Sequence, residues 1–289
     1  MTAIAVGEAG TIVHTHDGGI SWQIAPQKGI QSDFYSIFFL DVKNGWIAGQ
    51  NGTILRTQNG GNSWKQLPNK IHTTLTAIQF VSASTGYAVG FKGAIMKTTN
   101  GGATWTLQES HTKSDLWSLS FIDGMNGWTA GGSGIILHTT NGGKDWLEQN
   151  WMAEKSVVQN SIYAVQFLNT KTGFAVGGYG AILRTTDGGA NWEKQNTWES
   201  SILFKLKNYL YSISMLNEQN GYIAGSDGIV LATNDGGKNW NTQQSGTQEV
   251  LRSVHSSDTR TCLAVGSNGI MLETHNGGES WQVQTPQKE

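Results

Sequence analysis

The sequence predicts an all-β protein of one class, a seven-bladed β-propeller made of four-stranded antiparallel blades. A short motif that ends in tryptophan occurs seven times, and its copies lie 41 to 48 residues apart, close to the length of one four-stranded blade. Glycine is the second observation, since 38 of the 289 residues are glycine and only 3 are proline. Glycine at regular intervals indicates repeated turns rather than disorder.

The tryptophan motif has the form Thr-x-Asp/Asn-Gly-Gly-x-polar-Trp, and its first copy runs from Thr15 to Trp22. The Asp or Asn side chain can accept hydrogen bonds from the turn backbone, the two glycines reverse the chain, and the tryptophan packs beneath the turn. We therefore interpret each copy as a hairpin. The seven copies end at Trp22, Trp64, Trp105, Trp146, Trp192, Trp240 and Trp281.

A second pair of glycines precedes each motif and separates two short apolar runs. Tight hairpins need positive φ at one or two central residues, where glycine carries no steric cost. Each pair therefore predicts another hairpin, one strand earlier in the blade. The pairs are Gly7/Gly10, Gly49/Gly52, Gly90/Gly93, Gly131/Gly134, Gly177/Gly180, Gly225/Gly228 and Gly266/Gly269.

Six copies have one more strand upstream, which we predict to be the inner strand of its blade. Its third residue is Ser or Ala, which suits a crowded strand near the propeller axis, and its fourth is aliphatic. The first blade starts directly in its second strand, so we expect it to have three strands or to have been separated from an inner strand encoded upstream. The six predicted inner strands are 34–40, 75–81, 116–122, 162–168, 210–216 and 251–257.

Composition and charge exclude several classes of protein. The net charge of −2 gives no basic surface for binding nucleic acid. The single cysteine, Cys262, cannot form a disulfide within the chain. The seven histidines show no metal-ligand spacing beyond the weak pair His14 and His16. We therefore predict no metal and no cofactor.

The repeat spans residues 1–289, so we expect a single propeller domain that is a monomer. No run approaches the ~18 apolar residues of a membrane-spanning helix. The first residues have neither the basic start nor the long apolar stretch of a signal peptide. The sequence therefore leaves two alternatives for the compartment, a cytoplasmic protein or an exported domain from which the signal peptide has been removed.

The motif resembles the Asp-box, or BNR repeat, of sialidases, xyloglucan-cleaving glycosidases and sortilin-type receptors. A longer pattern, Gly-x-x-Gly-x-Ile-Leu-x-Thr-Thr-Asn/Asp-Gly-Gly-x-x-Trp preceded by Gly-Tyr/Trp-x-x-Gly, is similar to the photosystem II assembly/stability factor family and its non-photosynthetic bacterial relatives. The resemblance covers nearly the whole chain and implies a seven-bladed, non-enzymatic scaffold. Photosynthetic members are expected to carry a dense arginine patch. This chain has only four arginines, in three different blade positions, so no arginine site is implied here: Arg56, Arg184, Arg252 and Arg260.

An enzyme is the alternative to a scaffold. A sialidase needs several arginines that converge on the substrate carboxylate, and the chain lacks such a set. A glycosidase needs only two carboxylates beside a cleft, and Asp33, Asp115 and Glu249 precede inner strands. The blades have no long substrate-binding loops, which favours solvated turn residues at these places. A carbohydrate partner, bound by stacking or hydrolysed through Asp33 and Asp115, therefore stays open as the alternative function.

Two connections between blades are longer than the others. From Asp-box tryptophan to the next inner strand takes 11 or 12 residues in four cases, but 16 after Trp146 and 18 after Trp192. The longer connections carry Trp151, Trp198 and Phe204, and insertions on one face of a repeat protein often set its specificity. The sequence leaves open whether these tryptophans contact a partner or cover the blade rims.

The second place of the inner strands also holds large side chains. Aromatic residues and arginine are the types that anchor peptides and sugars, although they also pack between blades. Together with the longer connections, they predict a face that binds a protein or peptide, with carbohydrate as the alternative partner. The second-place candidates are Tyr35, Trp117, Tyr163, Tyr211 and Arg252.

Overall fold

The computed structural model describes residues 2–25, 29–149, 151, 161–197 and 208–284. They fall into two compact units, one within residues 1–129 and 137–148 and the other within residues 130–136 and 149–285. The fold is the predicted seven-bladed β-propeller, with seven sheets, one for each blade. None of the helical segments among these residues is long and apolar enough to cross a membrane.

The strands of the first four blades follow in order from the inner to the outer strand. Blade one is β1 (Ala3–Val6), β2 (Ile12–Thr15) and β3 (Gln23–Ile24). Blade two is β4 (Phe34–Phe39), β5 (Gly45–Gly49), β6 (Ile54–Thr57) and β7 (Lys65–Gln66). Blade three is β8 (Leu75–Phe80), β9 (Gly86–Gly90), β10 (Ile95–Thr98) and β11 (Thr106–Gln108). Blade four is β12 (Leu116–Phe121), β13 (Gly127–Gly131), β14 (Ile136–Thr139) and β15 (Leu147–Glu148).

The last three blades repeat this order. Blade five is β16 (Ile162–Phe167), β17 (Gly173–Gly177), β18 (Ile182–Thr185) and β19 (Glu193–Lys194), and β20 (Asn196–Thr197) follows it. Blade six is β21 (Leu210–Met215), β22 (Gly221–Gly225), β23 (Val230–Thr233) and β24 (Asn239–Gln243). Blade seven is β25 (Leu251–Ser256), β26 (Cys262–Gly266), β27 (Met271–Thr274) and β28 (Gln282–Gln284).

The prediction of three strands in blade one is confirmed. Each inner strand begins at the predicted residue and ends one residue earlier. In β4 the cause is the turn, since Leu40 donates its N–H to the Asn44 carbonyl at 2.9 Å. The sequence did not predict β20, which pairs in parallel with β24 and adds a fifth strand to blade six.

The Asp-box forms the hydrogen-bonded turn that its residues predict. In the third copy, the Thr98 hydroxyl donates to Asn100 Oδ1 at 3.0 Å and accepts the Gly102 N–H at 3.0 Å. Asn100 Oδ1 also accepts the Thr104 N–H at 2.8 Å. The bonds made by the threonine recur in all seven copies. The turn is therefore the same in every blade.

The earlier glycine pairs lie at the predicted hairpins, but only the second glycine of each pair has positive φ. Gly52 has φ of 72°, and Asn51 before it has φ of 52°. The first glycine, Gly49, is extended with φ of −164°, a conformation open to any residue. A Cβ there would overlap the carbonyl oxygen of Asp33. Turn geometry thus explains the second glycine of each pair, and the explanation is wrong for the first. Close packing instead requires the first glycine in five blades, at Gly49, Gly90, Gly177, Gly225 and Gly266.

The small third residues of the inner strands join neighbouring blades. Ser36 Oγ accepts the Ile78 N–H at 3.2 Å in the first unit, and Ser212 Oγ accepts the Val254 N–H at 3.1 Å in the second. A larger side chain would hold the strands apart and leave these N–H groups without an acceptor. The small residues therefore supply space, and Ser36 and Ser212 supply hydrogen bonds as well.

Stacked rings form the core between blades two, three and four. Phe80 stacks on Trp46 with ring centroids 3.6 Å apart, and Phe121 stacks on Tyr87 at 3.7 Å. The Gln79 amide donates to the Phe121 carbonyl at 2.8 Å and accepts the Phe121 N–H at 2.7 Å. The sixth residue of an inner strand is thus held by the preceding blade.

Aspartate in three Asp-boxes makes stability depend on pH. Hydrogen bonds from Ser21 lower the pKa of Asp17, and those from Asn191 lower the pKa of Asp187. At Asp235 burial raises the pKa, but hydrogen bonds outweigh it and the net direction is down. A carboxyl group whose pKa is lower in the folded than in the unfolded state stabilises the fold at pH values above its unfolded-state pKa. This stabilisation is lost as the pH falls through the folded-state pKa.

Replacing these three aspartates by asparagine, as in the other four boxes, should weaken this pH dependence. The variant D17N/D187N/D235N should resemble the wild type at pH 7 and lose less stability between about pH 4 and pH 2. Urea unfolding at pH 7, 4 and 2.5 measures the difference. An unchanged loss in the triple variant would show that other carboxyl groups govern acid unfolding.

Candidate functional site

The second residue of the inner strands is a β-bulge. In β4, Phe34 pairs with Gly49 and Ser36 with Ala48, so Tyr35 is left out of the ladder. A bulge bends its strand and re-aims the extra side chain. The candidates chosen from sequence therefore occupy a position freed from strand pairing. The same shift occurs in β8, β16, β21 and β25, at Thr76, Tyr163, Tyr211 and Arg252.

Three of the predicted residues come together in the second unit. The rings of Tyr163 and Tyr211 are 5.1 Å apart between centroids and inclined by 53°. The Arg252 guanidinium carbon lies 4.7 Å from the centre of the Tyr211 ring. This is a cation–π contact, and it leaves the arginine exposed. The inner strands of blades five, six and seven thus present two phenol rings and one cation.

Two further tyrosines complete this group, and the sequence reasoning missed both. Tyr209 precedes β21, and its ring is nearly parallel to that of Tyr211, at 15° and 6.3 Å. Tyr179 lies 5.8 Å from the Tyr209 ring, at the hairpin tip between β17 and β18. We call Tyr163, Tyr179, Tyr209, Tyr211 and Arg252 the tyrosine surface.

Tyr179 has a backbone conformation that bulky residues rarely adopt. Its φ is 55°, in the left-handed region. The same place in the other six tips holds Ala9, Asn51, Lys92, Ser133, Asp227 and Asn268. Tyr179 is the one aromatic residue among the seven. A comparison of tip residues between blades was the signal in the sequence that would have found it.

Two phenols of this surface, those of Tyr163 and Tyr209, have a pKa above the ordinary value. Burial raises the pKa of Tyr163, and the neighbouring Tyr211 and Tyr179 raise it further against the opposing effects of Ser161 and Arg252. Repulsion from Tyr179 is the main cause that raises the pKa of Tyr209. The hydroxyl groups of Tyr163 and Tyr209 are therefore neutral at neutral pH.

Tyr35 and Trp117 lie in the first unit, at the corresponding inner-strand places. Tyr35 is 51% exposed. Burial raises its pKa, and the nearby carboxylates of Asp33 and Glu8 add to the rise. Trp117 is half-buried and packs edge-on against Phe91 at 5.5 Å. Tyr35 is thus open to a partner, while Trp117 supports a hairpin tip.

Trp151 is bonded to a hairpin tip of its own unit. Its indole N–H donates to the Gly134 carbonyl at 2.6 Å. In blade two Asn69 makes the equivalent bond, since its side-chain amide donates to the Gly52 carbonyl at 3.0 Å. Like Trp151, it lies five residues after the tryptophan of its Asp-box. Trp198 and Phe204 lie outside the described residues.

The three carboxylates considered for hydrolysis hold hairpin tips. Asp33 accepts the Ala9 N–H at 2.9 Å, and Asp115 accepts the Lys92 N–H at 2.8 Å. Glu249 accepts the Asn268 amide at 3.0 Å. Each carboxylate therefore has a structural contact at a turn. In the described ranges, no group of three or more His, Cys, Asp or Glu residues is placed to hold a metal ion.

The seven Asp-box turns define an Asp-box β-propeller, and its aromatic inner-strand bulges contribute to a half-buried tyrosine surface. The family model described as "Photosynthesis system II assembly factor YCF48" matches residues 2–58, 57–150 and 147–248. The chain belongs to this family. A comparison with curated proteins gave no match.

Solved structures agree with this fold. The structure titled "YCF48 bound to D1 peptide" has 20% sequence identity and a TM-score of 0.75, and the match covers 94% of this chain and 87% of that one. YCF48 from Cyanidioschyzon merolae has 18% identity and a TM-score of 0.69 over 87% of this chain and 84% of that one. A GH74 enzyme from Niastella koreensis has 15% identity and a TM-score of 0.54 over 98% of this chain and 54% of that one. At these identities the likeness shows the fold alone.

The bond from Trp151 to Gly134 should contribute to stability. Trp151→Ala leaves the carbonyl without its donor, at a cost of about 1–3 kcal/mol if the carbonyl stays buried. Trp151→Asn should recover part of the loss, because Asn69 makes the equivalent bond. Thermal unfolding of the three proteins measures both effects. Equal stability of all three would leave partner contact as the remaining role of this side chain.

Proposed function

We propose that the chain is a non-catalytic propeller that binds an extended peptide segment of a partner protein on the tyrosine surface. The observation that carries this proposal is the gathering of four tyrosines and Arg252 around the bulged starts of three neighbouring inner strands. Sequence pattern alone placed only three of these five residues there.

The chemistry of the surface suits a peptide. Tyrosine offers a large contact area at a low cost in side-chain entropy, and its hydroxyl can bond to a peptide carbonyl. Arg252 is exposed beside the Tyr211 ring, and a guanidinium can donate to a carboxylate or a carbonyl of the partner. Tyr35, Trp117, Trp151, Trp198 and Phe204 stay predictions as further partner contacts.

Family membership supports a scaffold role. The family model is named for an assembly factor, and one structure of similar fold is titled as holding a D1 peptide. That peptide belongs to the other protein, and the partner of this chain has to be found by experiment. The propeller fold is the shared feature, and the peptide site on this chain is part of the proposal.

The contacts of the carboxylates support the absence of catalysis. Asp33 and Asp115 each accept a backbone N–H from a hairpin tip. A glycosidase needs one carboxyl as proton donor and a second as nucleophile or base, at a spacing that holds the substrate between them. Carboxylates engaged in turns are poorly suited to both roles.

Removing two aromatic anchors should abolish peptide binding. Twelve-residue peptides selected from a random phage-display library on the wild type would be measured by fluorescence anisotropy. The variant Y163A/Y211A should bind them at least about tenfold more weakly, since single anchors are often worth 1–3 kcal/mol. The matched control is Leu107→Ala, which removes an exposed apolar side chain from β11.

The conservative variant Y163F/Y211F separates the rings from the hydroxyl groups. It should keep most of the affinity if stacking dominates and lose it if hydroxyl bonds do. Unchanged peptide binding in Y163A/Y211A, with a thermal midpoint equal to the wild type, would contradict the proposal. A glycan-array signal without any selected peptide would favour the carbohydrate alternative.

A further inference from the structure

Backbone groups around the tyrosine surface are already paired within the fold. The Tyr209 N–H donates to Ser226 Oγ at 3.0 Å, and the Tyr209 carbonyl accepts the Ser226 N–H at 2.9 Å. The carbonyls of Ser161 and Val250, just before β16 and β25, accept N–H groups of hairpin tips at 3.0 and 2.8 Å. These groups are not free to pair with an added β-strand, so a ligand at this place is recognised through side chains.

The side chains of the tyrosine surface offer ring faces and hydrogen-bond donors. Each phenol hydroxyl can donate one hydrogen bond, and Arg252 adds donors and no acceptor. The neighbours that shift the pKa of Tyr163 and Tyr209 are Ser161, Arg252 and other tyrosines, and no carboxylate of the described residues is among them. A buried N–H group without an acceptor is costly. The surface therefore suits a backbone that supplies carbonyl acceptors and few N–H groups.

A proline-rich segment has such a backbone. Proline has no N–H, so packing it on a ring leaves no donor unpaired. The polyproline II helix makes no internal hydrogen bonds, and two of its residues advance about 6.2 Å. This advance is close to the 5.8 and 6.3 Å that separate the Tyr209 ring from those of Tyr179 and Tyr211. Grooves lined by aromatic residues are a recurring site for this helix.

The rings of the tyrosine surface hold one another in place. Between ring centroids, Tyr163 lies 6.3 Å from Tyr209 and 5.1 Å from Tyr211. Tyr179 extends the group although its φ of 55° is unfavourable for a bulky residue. An aromatic ring kept in such a conformation indicates a contact that the ring provides. A surface fixed in this way suits a stiff ligand, because neither side then loses much entropy on binding.

We propose that the tyrosine surface binds a proline-rich segment in the polyproline II conformation, with an acidic residue at the end that meets Arg252. This inference rests on the proposed function and narrows its ligand to one class of peptide. The prolines would pack on Tyr179, Tyr209 and Tyr211, each of which contacts the next. Arg252, at 4.7 Å from the Tyr211 ring, would donate to the carboxylate. The segment lies outside these 289 residues, of which only 3 are proline.

The probes are fluorescent peptides of eight consecutive prolines and one glutamate, blocked at both ends. One carries the glutamate after the prolines and one before them, because either chain direction can bring the carboxylate to Arg252. At least one of them should bind saturably by anisotropy. Glycine at every second proline keeps the length and charge but removes the preformed helix, and it should weaken binding at least about tenfold.

Tyr179→Asn separates binding from folding. Asparagine tolerates positive φ, and Asn51 and Asn268 occupy the same place in other blades, so the thermal midpoint should be equal to that of the wild type or higher. Affinity for the proline peptide should nevertheless fall at least about fivefold, because one ring is lost. Leu107→Ala, on β11, is the matched control and should change neither value. A lower midpoint with unchanged affinity would assign Tyr179 a structural role only.

Arg252→Gln tests the acidic end of the segment. The variant should bind the glutamate peptide at least about fivefold more weakly, since the charged pair is lost. A peptide with glutamine in place of glutamate should bind the wild type and Arg252→Gln alike. An equal loss of affinity for both peptides would contradict pairing of Arg252 with the carboxylate.

Failure of this inference is distinguishable from failure of the proposed function. Suppose that Y163A/Y211A loses affinity for phage-selected peptides without proline enrichment, and that the proline peptides do not bind at millimolar concentration. The proposed function then stands and the inference is wrong. Proline-peptide binding that is unchanged in Y163A/Y211A and Tyr179→Asn would also overturn it, by placing the site elsewhere. Equal affinity for the glycine-substituted peptide would show that a preformed helix is not what the surface recognises.

Discussion

The hydroxyl of the Asp-box threonine makes the bonds on which the rest of the fold depends. It is buried in every blade, donates to the Asp or Asn two residues on, and accepts the N–H of the second glycine. Without this acceptor the tight turn would leave a buried N–H group unpaired, which is costly. Seven copies of one turn give seven hairpins of the same geometry, and the strands inside them inherit a common register.

The same turns also connect neighbouring blades. The carbonyl of Gly101 accepts the Trp46 indole N–H at 3.3 Å, and the carbonyl of Gly142 accepts the Lys97 ammonium at 2.7 Å. In each case a side chain of one blade bonds to the Asp-box of the next. The Asp-box face is therefore committed to structure, and its sequence has little freedom to vary.

The opposite ends of the strands are where the blades differ. Hairpin tips and inner-strand bulges repeat as backbone shapes, but their side chains change from blade to blade. A bulged residue such as Tyr163 or Tyr211 can be replaced without breaking a ladder hydrogen bond. This freedom allows aromatic residues to collect at the tyrosine surface, while Trp151 and the three carboxylates hold other hairpin tips.

Sequence periodicity was sufficient for the blades, because each Asp-box marks one hairpin and the glycine pairs mark another. It also placed Tyr163, Tyr211 and Arg252 at equivalent strand positions. It could not give the bulges, which appear only in the register between two strands. Nor could it give the bond from Trp151 to Gly134 or the parallel pairing of β20, since each joins a residue of an irregular connection to a residue of the repeat. Tyr179 was missed because its neighbours in sequence are glycines, while its ring contact is with Tyr209.

The most direct test is amide hydrogen exchange under native conditions, resolved to single residues. It shows whether the stability of the fold depends on the Asp-box turns and not on the bulged residues. The N–H groups of the second Asp-box glycines, such as Gly102 and Gly237, should exchange only when the whole chain unfolds. Those of the bulged residues, such as Tyr163 and Tyr211, should exchange faster through local opening. Exchange of the Asp-box glycines at the rate of the bulged residues would contradict this account.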